Sequence, residues 1–252
     1  MPLTPKMFLI VCPLLFLAGF VDSIAGGGGL ISLPAYLFAG LPVHIAIGTN
    51  KLSSACGTSL TTARFIRGGL IRWKLAMPGI AAAMVGSGCG SRLSLLADEK
   101  IIRAVLFAVL PLAAFIVLNP RLFPEEEVRE VRVDKRTITV CVLAALIIGF
   151  YDGFYGPGTG TFLIIAFTAF AKLPIKAANA HAKAINLTTN ITSLIVFLRG
   201  GTVLIPLGLA AAACNMLGNY VGSGLAMRSG AKITRPIILT VLALLLIKLL
   251  TE

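Results

Sequence analysis

Charged side chains are scarce in this chain of 252 residues: Asp, Glu, Lys and Arg together make up 13% of it, while hydrophobic residues make up 57%. Soluble globular domains usually carry about 25% charged residues. With so few charges, the chain could not cover a folded surface with polar groups, which excludes an ordinary soluble domain. We predict an all-helical integral membrane protein.

The chain also lacks the residue patterns of enzymes and metal sites. Its cysteines stand singly, without the Cys-x-x-Cys spacing of a metal or redox site. It has no His-Glu-x-x-His motif and no Gly-x-Ser-x-Gly nucleophile elbow. We therefore expect no enzyme activity, no cofactor and no bound metal.

A net charge of +12 would suggest nucleic acid as the partner of a soluble protein. Here Lys and Arg collect at the ends of apolar segments, where they orient membrane helices. No basic patch interleaved with aromatic residues occurs. We expect this chain to lie in a lipid bilayer and not to bind nucleic acid.

Apolar segments of about 20 residues, the length that a helix needs to cross a bilayer, recur along the chain. We predict spanning helices at 43–66, 70–92, 98–118, 137–153, 174–199, 203–225 and 231–250. The first apolar stretch, 7–24, imitates a signal peptide, but the residues after it make no cleavage site. We expect it to remain in the mature protein.

The sequence is internally duplicated. Gly19-Phe20-Val21-Asp22 returns as Gly149-Phe150-Tyr151-Asp152, and Lys51 returns 132 residues later as Lys183. We divide the chain into a first repeat (1–118), a polar cytoplasmic linker (119–136) and a second repeat (137–252). Gly86-x-x-x-Gly90 and Gly218-x-x-x-Gly222 also match, and such small-residue pairs usually permit close helix packing in membranes.

Residues 7–40 are too long for one spanning helix, because 34 helical residues would run about 51 Å. Either the segment forms a re-entrant helical hairpin, or it is a full span followed by a separate short helix. A hairpin plus three spans per repeat makes the second repeat inverted, whereas four spans leave the repeats parallel. The inverted model places more basic residues on the cytoplasmic side, so the positive-inside rule favours it.

A glycine cluster marks the break in each repeat: Gly26, Gly27, Gly28 and Gly29 in the first, and Gly156, Gly158 and Gly160 in the second. Short helices are expected to restart at 30–39 and 161–171. The first turn of a helix leaves backbone N–H groups unpaired and attracts anions. The alternative is that these glycines only allow close packing.

Four ionisable residues lie inside apolar sequence, Asp22 and Lys51 in one repeat and Asp152 and Lys183 in the other. Each costs roughly 3 kcal/mol in a membrane segment, which argues for a shared binding site between the repeats. The alternative is a Lys–Asp ion pair that only fixes helix packing.

Each lysine heads a polar helix face, which Ser54 and Thr58 continue in the first repeat and Asn186 and Asn190 in the second. Hydroxyl, amide and ammonium groups on one face suit an oxyanion.

The two aspartates have two possible roles. Burial favours the neutral form of a carboxyl group, so either Asp22 or Asp152 could carry a proton. The rival role, which we favour, is structural: capping a broken helix or pairing with lysine. His181 could titrate near neutral pH, although a satisfied polar core histidine is the more common case. His44 is expected at a helix start near the surface.

Taken together, these motifs resemble the TauE/SafE family of membrane transporters over nearly the whole chain. The resemblance rests on Gly-Phe-Val-Asp-Ser-Ile-Ala-Gly-Gly-Gly-Gly, Gly-Thr-Asn-Lys, and the second-repeat Gly-Phe-Tyr-Asp-Gly-Phe-Tyr-Gly-Pro-Gly-Thr-Gly. It implies a secondary transporter of the cell (inner) membrane for sulfite or organosulfonates. By the same resemblance, substrate contacts fall on Asn50, Lys51, His181, Lys183 and Asn186, with backbone N–H groups from both glycine clusters.

We therefore expect an exporter that works by alternating access around a small anion at the membrane midplane. A passive anion channel, a transporter of another small anion such as a carboxylate, and a membrane-embedded enzyme or assembly subunit are the alternatives. A homodimer is possible, because small-residue faces remain for packing.

Overall fold

The computed structural model describes residues 3–98, 100–102, 104, 133–229 and 236. This part of the chain is helical and contains no β-strand. Its helices are α1 (Pro5–Ala25), α2 (Gly29–Phe38), α3 (Val43–Arg67), α4 (Trp73–Leu96), α5 (Lys135–Phe154), α6 (Thr159–Ala169), α7 (Ile175–Arg199) and α8 (Ile205–Ser229). The linker at 119–136 and the spans at 98–118 and 231–250 lie largely outside the described residues, and the division into two repeats at these points stays a prediction.

The duplicated motifs fold into duplicated helix boundaries. Pro42 and Pro174 precede α3 and α7 with nearly identical backbone angles, φ −55° and −56°. Both helices end at a glycine pair whose second member has a positive φ, 67° at Gly69 and 66° at Gly201. Proline cannot donate a helical hydrogen bond, and glycine readily adopts left-handed angles. A proline before the helix and a glycine pair after it therefore set the boundaries of both α3 and α7, and the glycine pairs form the turns into α4 and α8.

Among the described helices, α1 and α5 are long and apolar enough to cross a membrane by length and composition. The helices α3 and α7 each have 25 residues, about 37 Å at 1.5 Å per residue. Their mean hydropathy is lower because they bury polar side chains, Lys51 and Lys183 among them. Their polar faces pack inside the bundle and leave apolar residues outside.

The first helix of each repeat packs against the last described helix of the other repeat. α4 lies parallel to α5, and α8 lies parallel to α1. The residue pairs that fix these directions are Ala83 with Gly149, Ser87 with Gly153, Leu15 with Asn215, and Ser23 with Gly222. A side chain on Gly90 or Gly222 would collide with the facing backbone at Phe150 or Phe20. These glycines therefore permit close helix packing, as expected.

The two repeats are inverted. α3 runs antiparallel to α7, because Gly48 lies against Phe197 while Thr62 donates to the carbonyl of Lys183 at 3.2 Å. α8 runs parallel to α3, and α7 runs parallel to α4, as shown by the pairs Leu52 with Gly208, Thr61 with Asn219, Gly79 with Ile185, and Gly88 with Thr192. Hence α1, α3 and α8 point one way and α4, α5 and α7 the other. Every helix of this set runs opposite to its equivalent in the other repeat.

The break at the glycine cluster is a re-entrant hairpin. Since α1 and α3 run in the same direction, α2 must return toward the start of α1, and Gly28 at its beginning lies against Asp22. The alternative of a full span followed by a separate short helix is therefore wrong. The tips of the two hairpins meet, Gly26 against Gly160 and Gly29 against Pro157. This contact places both broken helices at the centre of the bundle.

Candidate functional site

Two buried ion pairs join the repeats. Lys51 Nζ lies 2.9 Å from Asp152 Oδ2, and Lys183 Nζ lies 2.7 Å from Asp22 Oδ2. The lysines are 2% and 0% exposed. Each lysine on the third helix of one repeat meets the aspartate on the first helix of the other. The sequence predicted Lys–Asp pairing as one alternative, and the structure shows that both pairs cross between repeats.

The second repeat satisfies the broken end of α1. The carbonyl of Ala25 accepts from Thr161 Oγ1 at 2.7 Å, and that of Gly26 accepts from the Thr161 backbone N–H at 3.3 Å. Asn179 Nδ2 donates to the carbonyl of Ile24 at 3.1 Å. The last carbonyls of a helix lack intrahelical partners, and a non-helical backbone within a membrane needs such protein contacts. The hairpin tip is thus held by side chains of the other repeat.

Asp152 also supports the second hairpin. Its Oδ1 accepts from Thr159 Oγ1 at 2.7 Å, at the start of α6. The turn itself needs glycine, because Gly156 and Gly158 adopt φ angles of 99° and 82°. The Tyr151 hydroxyl donates to the carbonyl of Pro157 at 2.7 Å and closes the turn. These contacts position the carboxylate that pairs with Lys51.

A cavity of about 400 Å³, including its open part, lies where the hairpin tips meet α3 and α7. Ten of the residues that the sequence singled out line it: Asp22, Gly26, Gly28, Gly29, Asn50, Lys51, Asp152, Gly156, Gly160 and Asn186. The polar faces of α3 and α7 add Ser54, Thr58 and Asn190. Residues of both repeats therefore form one polar chamber.

Three lining residues, Ser32, Thr159 and Asn215, were missed as site candidates. Ser32 and Asn215 interrupt apolar helices without any repeat match, so only the fold reveals them. Thr159 stands in the glycine cluster beside Gly158 and Gly160, and that position could have indicated it.

The remaining predicted site residues, Gly27, Gly158, His181 and Lys183, do not line the cavity. His181 is 2% exposed and connects α7 to the start of α4. Its Nδ1 lies 2.7 Å from the carbonyl of Ala177, and its Nε2 accepts from the Arg72 backbone N–H at 3.1 Å. This is the contact pattern of a polar core histidine. His44, near the start of α3, contacts backbone carbonyls at the end of α4.

The cavity is not symmetric about the two repeats. Ser54 and Asn186 occupy equivalent positions and both line it, yet Lys51 lines it while Lys183 does not. Within the described part of the chain, Lys183 bonds to Asp22 and is shielded from the chamber. In this conformation one ammonium group therefore borders the chamber while paired with Asp152, and its counterpart does not border it.

Two side-chain amides can donate to a ligand. Asn186 Oδ1 accepts from Asn190 Nδ2 at 2.9 Å, and Asn50 Oδ1 accepts from Ser54 at 3.4 Å. The Nδ2 groups of Asn50 and Asn186 donate to no residue that the structure describes. With their oxygens already accepting hydrogen bonds, these two amides can offer a ligand in the chamber N–H donors. Amide donors and an ammonium group are the kinds of group that bind anions.

A metal site is not formed by the described residues, which contain no group of three or more His, Cys, Asp or Glu side chains within reach of one ion. The two ion pairs carry two positive and two negative charges, so the chamber and its supports are electrically balanced. An added monoanion would leave one uncompensated negative charge, and a dianion two. Binding therefore calls for an accompanying change in charge.

Comparison with known proteins gives a consistent picture. The family model described as sulfite exporter TauE/SafE matches residues 11–249. A probable membrane transporter protein ORF9 of a Sinorhizobium species is 37% identical over 238 residues, which cover 94% of this chain and 90% of that protein. The probable membrane transporter protein YfcA of Escherichia coli strain K12 is 34% identical over 250 residues, which cover 99% and 91%. No solved structure matches.

Proposed function

Because this chain belongs to the sulfite exporter TauE/SafE family, we propose that it is a secondary transporter that exports sulfite or a small organosulfonate across the cell membrane. The observation that carries the proposal is the polar chamber between two inverted repeats, which combines an ammonium group with amide donors. Such donors at the centre of a bundle of inverted repeats are typical of a transporter's substrate site.

Alternating access gives the cross-repeat ion pairs a mechanical role. If the repeats rock against each other, the Lys51–Asp152 and Lys183–Asp22 contacts are among those that must rearrange. Separating a buried pair strands two charges, which costs several kcal/mol. An anion that replaces Asp152 beside Lys51 lowers that cost. The substrate thereby opens the contact that holds the repeats together.

Charge balance suggests how protons enter. Once an anion occupies Lys51, Asp152 is left as a buried carboxylate without its cation. For a monoanion such as hydrogensulfite or a sulfonate, a proton on Asp152 restores neutrality, so one proton travels with the anion. The direction of net flux then follows the sum of the anion and proton gradients, and we propose export on the strength of the family description.

The distribution of basic residues suggests which end faces the cytoplasm. The helix directions bring the end of α3 together with the starts of α4, α5 and α7. The basic residues at this end are Arg64, Arg67, Arg72, Lys74, Lys135, Arg136, Lys172, Lys176 and Arg228. Those at the opposite end include Lys6, Arg92 and Arg199. By the positive-inside rule, the first end is cytoplasmic.

The proposal is tested by flux of radiolabelled sulfite in proteoliposomes, with and without a pH gradient. We expect uptake that saturates with sulfite concentration and accelerates when the sulfite-containing compartment is made acidic. A passive channel would instead give flux that follows the membrane potential without saturation. That result, or the absence of sulfite flux above protein-free vesicles, would refute the proposal.

A further inference from the structure

Ser32 is a buried hydroxyl without a partner at the wall of the chamber. It is 1% exposed, and its Oγ makes no hydrogen bond to any residue in the part of the chain that the structure describes. A buried hydroxyl that forms no hydrogen bond is costly. Since Ser32 lines the chamber, its hydroxyl can be satisfied by a ligand bound there.

Ser32 stands in the first turn of α2, the ten-residue helix that restarts after the glycine cluster. Its backbone N–H donates to the carbonyl of Gly28 at 2.9 Å. Gly28 and Gly29, at the start of this helix, also line the chamber, as do Asn50 and Lys51. The start of a helix carries a partial positive charge. Helix end, hydroxyl, amide and ammonium thus converge on one side of the chamber.

The second hairpin lacks this arrangement. Asp22 and Gly26 correspond to Asp152 and Gly156, and the same offset pairs Ser32 with Phe162. Phe162 packs against the ring of Tyr151, with ring centroids 5.7 Å apart, and does not line the chamber. The hydroxyl of Thr159 also lines the chamber, but it donates to Asp152 at 2.7 Å. Of the two hairpins, the first alone therefore offers an unengaged hydroxyl at the chamber among the described residues, which favours a ligand bound off the pseudo-twofold axis.

The wall of the chamber restricts the kind of anion. The lining residues that the structure describes are glycine, serine, threonine, asparagine, aspartate and lysine, and none of these described residues contributes an apolar side chain. Specific pockets for ligands with apolar groups are lined mainly by hydrophobic and aromatic side chains. An aromatic or long alkyl substituent would find no apolar contact here and would cover polar groups that need hydrogen bonds.

We propose that the anion's oxygens bind against the start of α2, where Ser32 donates a hydrogen bond, and that the site takes compact oxyanions such as sulfite in preference to sulfonates with an apolar group. This inference rests on the proposed function and specifies its substrate class. It assigns to Ser32 a contact with substrate that its sequence context does not reveal.

The test uses the purified full chain in proteoliposomes with radiolabelled sulfite. Ser32→Ala is expected to raise the half-saturating sulfite concentration about tenfold, since hydrogen bonds to charged groups are of that strength. Ser32→Thr, which keeps the hydroxyl, is expected to restore most of the affinity. In a competition assay with the wild-type protein, excess unlabelled sulfite is expected to suppress the uptake of radiolabelled sulfite, whereas the same excess of toluenesulfonate leaves that uptake unchanged.

Ser193→Ala is the matched control. Ser193 is 0% exposed and its Oγ likewise makes no hydrogen bond to a described residue, but it does not line the chamber. It should leave the half-saturating concentration unchanged. If Ser32→Ala also leaves the half-saturating concentration unchanged, the assignment of Ser32 to the substrate site is wrong. If toluenesulfonate competes as well as sulfite, the substrate class is wrong. Wild-type protein that carries no sulfite would refute the proposed function itself.

Discussion

The Lys51–Asp152 pair offers the most direct test of the site. Both side chains are almost fully buried, 2% and 3% exposed, and their charged atoms lie 2.9 Å apart. Removing one partner of such a pair strands the other charge and costs about 3–5 kcal/mol, whereas replacing both by neutral groups costs much less. Lys51→Met should therefore destabilise the protein more than the double variant with Asp152→Asn.

Thermal unfolding in detergent measures this difference. At about 2–4 °C per kcal/mol for a chain of this size, Lys51→Met should lower the midpoint by roughly 10 °C, and the added Asp152→Asn should recover most of the loss. Neither variant should show saturable sulfite uptake, because both lack the ammonium group that lines the chamber.

The other ion pair, Lys183–Asp22, supplies the control. Lys183 does not line the chamber, and Asp22 lines it with a carboxylate, which repels an anion. Lys183→Met with Asp22→Asn should therefore still bind sulfite in a thermal-shift assay while transport is lost, because the contact between the repeats is altered. The Lys51–Asp152 double variant should lose both binding and transport. Normal sulfite uptake by the Lys51→Met and Asp152→Asn double variant would contradict the assignment of Lys51 to the site.

Three further predictions follow from individual contacts. Gly26→Ala should abolish folded protein in size-exclusion chromatography, because Gly26 has a φ of 75° and its added methyl would collide with the backbone of Gly160. Gly69→Ala is the control: Gly69 has a φ of 67° and open space around it, so this substitution should cost only about 1 kcal/mol of backbone strain. His181→Asn should change the half-saturating sulfite concentration less than twofold, because His181 lies outside the chamber; a tenfold change would restore it to the substrate site. Asp152→Asn should carry sulfite at a rate that no longer responds to a pH gradient, and retained proton dependence in flux assays would place the proton elsewhere.

Much of the architecture follows from local features of the sequence. Helix lengths and boundaries at α3 and α7 were predicted to within a few residues, because proline and glycine act on the backbone where they stand. The break in this segment followed from simple geometry, since 34 helical residues exceed the thickness of a bilayer, and the positive-inside rule favoured the hairpin over a full span with a separate short helix. The inverted arrangement followed from the positions of basic residues, and the helix directions confirm it.

The sequence by itself determined the membrane setting, the duplication, the broken helices and the four embedded charges, because composition, spacing and the cost of a charge in lipid are properties of each segment alone. The tertiary structure decided which lysine meets which aspartate, a choice between residues as many as 161 positions apart. It also brought Ser32 into the chamber and left His181 and Lys183 outside it. Such placements depend on how helices of different repeats cross, and side-chain periodicity within one helix carries no information about that crossing.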